Sequence, residues 1–190
     1  MKHTIFGQFF ANPLTTGAIC ASSPELSRLI VKMVGTEKAS SIVELGPGTG
    51  AVTGFILEEK NPDSHFFVIE LNPDILTAFR KSFPTVKAYQ DCASNLPAIL
   101  KQEGLASVDV VISGLPWASF PDDTQEEVLN SIYEALPKGG VFATFAYIQG
   151  AILPTGHSFK RRLNEYFSTV EKSEVVWRNI PPAFIYCCRK

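Results

Sequence analysis

The chain has 190 residues, 45% of them hydrophobic and 19% charged, so it fits one domain with a sizeable core and is not extensively disordered. Its formal net charge of −2 argues against a generally basic nucleic-acid-binding protein. The four cysteines show no CxxC spacing and no histidine partners, so we expect no metal site and a reduced, cytoplasmic protein.

Charge is unevenly distributed along the chain. Residues 1–40 carry four basic and two acidic side chains, residues 41–150 carry six and fourteen, and residues 151–190 carry seven and three. If the two basic ends meet in space, they face an anionic partner such as a phosphate or a lipid surface. The alternative is that these charges are scattered over the surface and have no common partner.

Hydrophobic patterning and turn residues predict an alternation of strands and helices from residue 41 onward. The predicted elements, in chain order, are a strand over 41–45, a helix over 48–59, a strand over 66–71, a helix over 73–83, a strand over 85–89, a helix over 96–103, a strand over 108–113, a helix over 124–136, a strand over 141–148, a helix over 158–167 and strands over 170–177 and 183–188. Residues 1–40 precede this core as an extension with helices predicted over 4–11 and 24–34.

Short connections between alternating strands and helices are typical of an α/β fold. The pattern predicts a Rossmann-like, doubly wound, mostly parallel seven-stranded sheet with helices on both faces. No helix separates the last two strands, so the last strand is expected to run antiparallel. The whole chain is thus predicted to form a single domain.

The sequence VELGPGTG at 43–50 passes from a strand through three glycines into a helix. Gly46, Gly48 and Gly50 allow a tight turn and a close approach of the backbone to a ligand. The helix that follows offers free N–H groups at its start. The loop lacks the GK[ST] ending of a phosphate-binding loop and matches the dinucleotide pattern GxGxxG/A only weakly.

An acidic residue two positions before the first glycine distinguishes between the candidate cofactors. Glu44 would repel a pyrophosphate and attract the ammonium group of an amino acid. S-adenosylmethionine carries an ammonium and a sulfonium and no phosphate. The loop therefore favours S-adenosylmethionine over a dinucleotide, and a purely structural glycine turn is the alternative.

Two further acids follow the next two predicted strands. Glu70 ends the second strand, with Leu71 beside it, where an acid accepts hydrogen bonds from ribose hydroxyls. Asp91 follows the third strand and would accept from the adenine amine, with the backbone N–H of Cys92 near the ring. Three acids at the carboxyl ends of neighbouring strands fit the ligand position of a doubly wound sheet. Solvated carboxylates at strand ends are the alternative.

The fourth predicted strand runs into SGLPW at 113–117, beside the expected position of the transferable methyl group. Ser113 is assigned to the cofactor. The carbonyls of Gly114 and Leu115 can orient an amine, and Trp117 offers an aromatic face that tolerates a cationic product. The alternative is a simple turn with Trp117 packed in the core.

Together the glycine loop, Glu70, Asp91 and the fourth-strand motif resemble the class I S-adenosylmethionine-dependent methyltransferases. Residues 9–30 and 175–186 (VVWRNIPPAFIY) further resemble the terminal segments of the bacterial phospholipid N-methyltransferases. This resemblance runs nearly end to end. It implies N-methylation of phosphatidylethanolamine by a peripheral protein at the inner face of the membrane, with S-adenosylmethionine as cofactor and without a metal.

Other functions stay open as alternatives. The rRNA adenine dimethyltransferases are similar in fold, but their fourth-strand motif begins with Asn where this chain has Gly114, so a nucleic acid is not the favoured partner. A small-molecule methyltransferase is a second alternative inside enzymology. A module that binds S-adenosylmethionine or lipid without catalysis is the alternative outside it.

An amine substrate must lose a proton, and its phosphate needs a cationic partner. Tyr147, at the end of the fifth predicted strand, and His157, in the loop after it, are the candidate bases. Arg178 lies in the family-like C-terminal segment and is the favoured partner of the lipid phosphate. The basic run at residues 160–162 supplies further candidates, and a solvated helix face is its alternative.

Three phenylalanines in the predicted first helix share one face. Phe6, Phe9 and Phe10 are expected either to enter a membrane interface or to cover the cofactor site as a lid. We expect the protein to be a monomer.

Overall fold

The computed structural model describes residues 22–190. The helix predicted over 4–11, with its phenylalanine face, lies outside the described residues. The helices are α1 (Pro24–Val34), α2 (Thr53–Glu59), α3 (Pro73–Ser82), α4 (Leu96–Gln102), α5 (Asp122–Ala135), α6 (Ile148–Ala151) and α7 (Pro154–Tyr166). The strands are β1 (Ser41–Leu45), β2 (His65–Glu70), β3 (Lys87–Gln90), β4 (Val110–Ser113), β5 (Val141–Tyr147), β6 (Thr169–Lys172) and β7 (Ala183–Arg189).

The strands form one seven-stranded sheet in the order β3-β2-β1-β4-β5-β7-β6. Strand β1 pairs in parallel with β2 on one side and with β4 on the other. Strand β7 pairs antiparallel with both β5 and β6. The predicted Rossmann-like, mostly parallel sheet with an antiparallel last strand is therefore confirmed. Chain order reverses between β1 and β4, and ligands bind at this switch point in doubly wound sheets.

Strand β1 is buried along its whole length because helices cover both faces of the sheet. Its side chains point alternately to the two faces, as the pleat requires. Ile42 packs with α1 and α2, whereas Val43 and Leu45 pack with α4, α5 and α7. This central strand thus carries the glycine loop on a rigid support.

Helix α1 begins where the chain meets the loop before β7. Ser23 caps the helix, and its hydroxyl accepts the N–H of Leu26 at 3.3 Å. The backbone N–H of Ser23 donates to the side-chain oxygen of Asn179 at 2.8 Å, and Asn179 is only 1% exposed. The described start of the chain is thereby fixed to the loop over 173–182.

Within residues 22–190, no helix combines the length and the hydropathy that crossing a bilayer requires. The same residues contain no group of three or more histidine, cysteine, aspartate or glutamate side chains placed to hold a metal ion.

Candidate active site

The glycine loop connects β1 to α2 as an irregular turn. Gly46, Gly48 and Gly50 all have positive φ, at 67°, 58° and 83°, which an L-residue rarely adopts. Helix α2 consequently begins at Thr53, five residues later than the helix predicted over 48–59. A side chain added at Gly48 would have no atom within 4 Å, so the backbone there is open to a ligand.

Glu44 lies buried beneath this loop, with 2% of its surface exposed. The hydroxyl of Thr53 donates to its Oε2 at 2.6 Å. Burial raises the pKa of Glu44 to about 7; the hydrogen bond from Thr53 opposes this shift, and the nearby Glu70 carboxylate adds to it. A cation brought next to Glu44 would favour its ionised form, so its predicted contact with an ammonium group is consistent with this environment and stays a prediction.

Glu70 ends β2 and also lies at the loop. It is 4% exposed, and its Oε1 accepts the N–H of Asn72 at 2.9 Å. Burial raises the pKa of Glu70, and hydrogen bonds from the backbone N–H groups of Asn72, Gly48 and Leu71 act in the opposite direction. The carboxylate therefore joins the end of β2 to the glycine loop, at the position predicted for the ribose.

The third acid organises the turn after β3. Asp91 accepts the N–H of Cys92 at 2.7 Å and the side-chain amide of Asn95 at 2.6 Å. The Cys92 N–H, predicted to lie near the adenine ring, is thus bonded to Asp91 in this structure. Asn95 is not predicted from the sequence as a partner of Asp91, although its position four residues after Asp91 indicates that the two side chains can meet.

A narrow crevice brings these predicted cofactor residues together. Its walls are Gly46, Ile69, Glu70, Leu71, Asp91, Cys92, Ala93, Leu115 and Phe120. Glu70 and Asp91 are the carboxylates predicted to contact the ribose and the adenine, and the open backbone at Gly48 adjoins Glu70. These residues fit S-adenosylmethionine, because Glu70 and Asp91 in the crevice can accept hydrogen bonds and a third acid, Glu44, lies under the loop.

A larger cavity of about 230 Å³ lies on the other side of Leu115. It is lined by Gly114, Leu115, Pro116, Trp117, Ala118, Ser119, Phe145, Ala146, Tyr147, Gln149, Gly150, Ala151, Leu153, Gly156, Phe159 and Tyr186. None of these described lining residues carries a charge. Leu115 is the one residue common to the two linings, so it separates the crevice from the cavity.

Gly114, next to Leu115, lies in direct contact with the backbone at the end of β1 and the start of the glycine loop. Its N–H donates to the carbonyl of Leu45 at 2.8 Å. A Cβ at this position would lie 2.5 Å from the carbonyl oxygen of Gly46, closer than real Cβ contacts. An Asn at this position, as in the rRNA methyltransferases, would therefore require this backbone to shift.

Trp117 is packed in the core and also lines the cavity, so its predicted contact with the amine stays a prediction. Its indole is 3% exposed and stacks on Phe159, with ring centroids 4.6 Å apart. Its Nε1 donates to the Ser113 hydroxyl at 3.1 Å, which also accepts the N–H of Leu115 at 3.2 Å. One aromatic face is therefore covered by protein, and the ring forms part of the cavity wall. Ser113 shapes this turn, and its contact with the cofactor stays a prediction.

Of the predicted bases and cations, only Tyr147 lines the cavity. His157 is exposed, and its Nδ1 lies 3.0 Å from the carbonyl oxygen of Leu153. Arg178 is exposed in the loop before β7, outside the cavity lining. Arg162, predicted as a candidate partner of the lipid phosphate, is placed differently. Its Nη1 donates at 3.0 Å to both Asp122 and Gln125, so Arg162 joins α7 to α5 and does not face solvent.

Tyr186 is a cavity residue that the sequence did not reveal. It lies in β7, and burial, followed by the nearby Cys188, raises the pKa of its hydroxyl. The apolar pattern of a strand predicts that such a residue is buried on a face of the sheet, but it does not show which cavity the side chain lines. Its phenol keeps its proton at neutral pH and is available for hydrogen bonding.

We expect S-adenosylmethionine to bind more tightly as the pH rises from about 5.5 to about 7.5, because its ammonium group favours ionised Glu44 and the pKa of Glu44 is raised to about 7. Affinity should increase by at most about 10-fold per pH unit below that pKa and then level off. The raised pKa of Glu44 also affects the stability of the cofactor-free protein. The contribution of Glu44 to this stability is complete below its unfolded-state pKa and is lost as the pH rises through about 7.

Calorimetry in buffers of different ionisation enthalpy measures the proton released on binding. Glu44→Gln should remove most of this release and flatten the pH profile. An equally steep profile in the variant would assign the proton to another group.

The chain is similar in sequence to known methyltransferases. A family model described as a methyltransferase domain matches residues 42–140. The ornithine lipid N-methyltransferase of Singulisphaera acidiphila is 32% identical over 186 residues, which span 96% of this chain and 93% of that protein.

Solved structures share the fold. The O-methyltransferase TomG from Streptomyces achromogenes, in complex with S-adenosylmethionine, has a TM-score of 0.70 at 15% identity and covers 98% of this chain and 94% of its own. TrmN from Thermus thermophilus has a TM-score of 0.70 at 14% identity and covers 92% of this chain, which spans 51% of TrmN. The methyltransferase domain match extends over more than half of the chain, and the 32% identical relative matches 96% of it. The chain therefore belongs to the class I S-adenosylmethionine-dependent methyltransferases, and S-adenosylmethionine is its cofactor.

Proposed function

We propose that this enzyme methylates the primary amine in the headgroup of a membrane lipid, with phosphatidylethanolamine and ornithine lipid as the candidate substrates. The observation that carries the proposal is the uncharged cavity that meets the cofactor crevice at Leu115. The relative from Singulisphaera acidiphila supports a lipid substrate, because its likeness to this chain extends well beyond the methyltransferase domain.

An uncharged cavity suits the chemistry of an amine nucleophile. S-adenosylmethionine supplies an electrophilic methyl group, and only an amine that has lost its proton has a lone pair to accept it. The described lining contains no carboxylate that would hold the ammonium form. Transfer from water to an apolar site lowers the pKa of an ammonium group, so the cavity selects the neutral amine without a strong base.

Polar groups in the cavity wall can orient that amine. Tyr147 and Tyr186 contribute hydroxyls from β5 and β7, and Gly114 and Leu115 contribute backbone from the turn after β4. The Leu115 carbonyl already accepts the N–H of Trp117 at 2.9 Å, so its second lone pair is the one left for substrate. Orientation of this kind lowers the barrier by holding the reacting atoms in line.

Transfer of a radiolabelled methyl group tests the proposal. Purified enzyme is incubated with labelled cofactor and vesicles containing phosphatidylethanolamine, vesicles containing ornithine lipid, ribosomal RNA, or small soluble amines. We expect the label in the lipid fraction, and thin-layer chromatography then shows which of the two headgroups carries it.

A label confined to RNA or to a soluble amine would contradict the lipid assignment and favour the corresponding alternative. Saturable binding of S-adenosylmethionine without transfer to any substrate would favour a non-catalytic module. Phosphatidylcholine vesicles are the matched control, because their headgroup nitrogen carries no proton to replace.

A further inference from the structure

Four large apolar side chains are exposed on the segments that follow β5 and precede β7. Ile152 is 70% exposed, Leu153 48%, Trp177 72% and Ile180 77%. We refer to these four residues as the apolar rim. Leu57, at 37%, is the other exposed large apolar side chain in the described part of the chain. Concentration of such residues at one place marks an interaction surface.

Pairing of β5 with β7 brings the two halves of the rim to the same end of the sheet. Tyr147, the last residue of β5, pairs with Ala183, the first residue of β7. The N–H of Ile148 donates to the carbonyl of Pro182 at 3.1 Å. The segment that contains Ile152 and the loop that contains Trp177 therefore leave the sheet side by side. Leu153 also lines the cavity, so the rim borders its mouth.

The loop that presents Trp177 and Ile180 is held by its own hydrogen bonds. Val176 pairs with Ala183 in an antiparallel bridge. The side chain of Asn179 is buried, where it donates to the carbonyl of Pro181 at 2.6 Å and accepts the N–H of Ser23 at 2.8 Å. The polar residue thus points inward and its apolar neighbours outward, which reverses the usual distribution.

Charges around the rim are mainly positive. Arg178 is exposed between the two apolar residues of the loop, and Lys160 and Arg161 are exposed on α7. The acidic groups of these same elements are Glu174 in the loop and Glu165 on α7, and Glu165 is 3.8 Å from Arg161. An apolar patch flanked by cations matches the interface of an anionic bilayer.

We propose that the apolar rim docks the enzyme onto an anionic lipid bilayer, with Trp177 and Ile180 entering the interface and Arg178 facing lipid phosphates. This inference rests on the proposed lipid substrate. Tryptophan is favoured at the membrane–water interface because its ring is apolar and its N–H still reaches water. In this orientation the cavity opens toward the headgroups, and an amine enters it without leaving the bilayer surface.

Flotation of the full chain with vesicles tests the docking separately from the chemistry. Phosphatidylcholine vesicles containing phosphatidylglycerol are compared with phosphatidylcholine alone, and methyl transfer is measured on a water-soluble, short-chain phosphatidylethanolamine. We expect the double variant Trp177→Ser/Ile180→Ser to lose vesicle partitioning by roughly 10-fold or more and to keep its rate on the soluble lipid. Arg178→Gln should reduce the preference for phosphatidylglycerol.

The matched control is Leu57→Ser, which removes an exposed apolar side chain on α2 and should leave flotation unchanged. Equal flotation of the double variant and the wild type would overturn the docking proposal, as would a wild type that does not bind either vesicle. A rim-dependent dimer in solution would assign the surface to a second copy of the chain and also overturn it. Docking without methyl transfer to either lipid form would instead overturn the proposed function and leave the docking result standing.

Discussion

Replacement of Trp117 by alanine is expected to lower the free energy of unfolding by about 3–5 kcal/mol, the usual cost of removing a large aromatic side chain from a core. The indole is 3% exposed, stacks on Phe159 and contacts the edges of Phe120 and Phe142. Its loss also leaves the Ser113 hydroxyl without the Nε1 donor. We therefore expect reduced turnover to accompany a loss of stability, and not to occur alone.

Urea unfolding of three variants measures this effect. Trp117→Phe keeps most of the packing and loses the hydrogen bond, so it should cost only about 1–2 kcal/mol. Trp177→Ala removes the other tryptophan of the chain, which is 72% exposed, and should change stability by less than about 0.5 kcal/mol. Wild-type stability in Trp117→Ala together with a large fall in turnover would contradict the structural role and support the aromatic-face role predicted from the sequence.

Replacement of Glu70 by glutamine is expected to weaken S-adenosylmethionine binding by about 1–3 kcal/mol, a loss of between about 5-fold and about 150-fold in affinity. The carboxylate stands at the end of β2 in the cofactor crevice, where it would accept charge-assisted hydrogen bonds from ribose hydroxyls. Glutamine retains one acceptor oxygen for the loop N–H groups, so the glycine loop should keep its shape. Alanine would remove this support as well and should lower stability too.

Calorimetric titration of the cofactor separates these effects. Asp74→Asn is the matched control, because it removes an exposed acid from the first turn of α3, four residues from Glu70. Equal affinity in the wild type and in Glu70→Gln would remove Glu70 from the cofactor site. Equal losses in Glu70→Gln and in Asp74→Asn would point to a general effect of net charge.

The sequence pattern predicted the fold closely where hydrophobic runs are long and sharply bounded. The boundaries of α1 and β1 were both predicted correctly, because Pro24 and Gly35 delimit the helix and a buried parallel strand is continuously apolar. The start of α2 was placed too early, since glycines that could begin a helix instead occupy a left-handed turn. The strand predicted over 170–177 ends at Lys172, where the chain leaves the sheet for the loop before β7.

The predicted site residues that come together in the structure are those whose position follows from topology alone. Glu70 and Asp91 follow parallel strands, so their strand ends fix them at the crevice. His157 and Trp117 belong to segments whose orientation depends on packing between helices, which periodicity does not encode. The helix predicted to begin at residue 158 starts at Pro154, and this earlier start places His157 on its exposed side.

Leu115 gives the enzyme a modular architecture. Because this single residue is common to the two linings, the remaining walls of the cavity can diverge without altering the crevice. Exchanges at Tyr147, Leu153 or Tyr186 would alter the proposed acceptor site while the groups predicted to hold the methyl donor stay intact. A few substitutions in the cavity wall would therefore suffice to change the proposed acceptor, whereas Leu115 itself, packed over Gly46, is constrained from both sides.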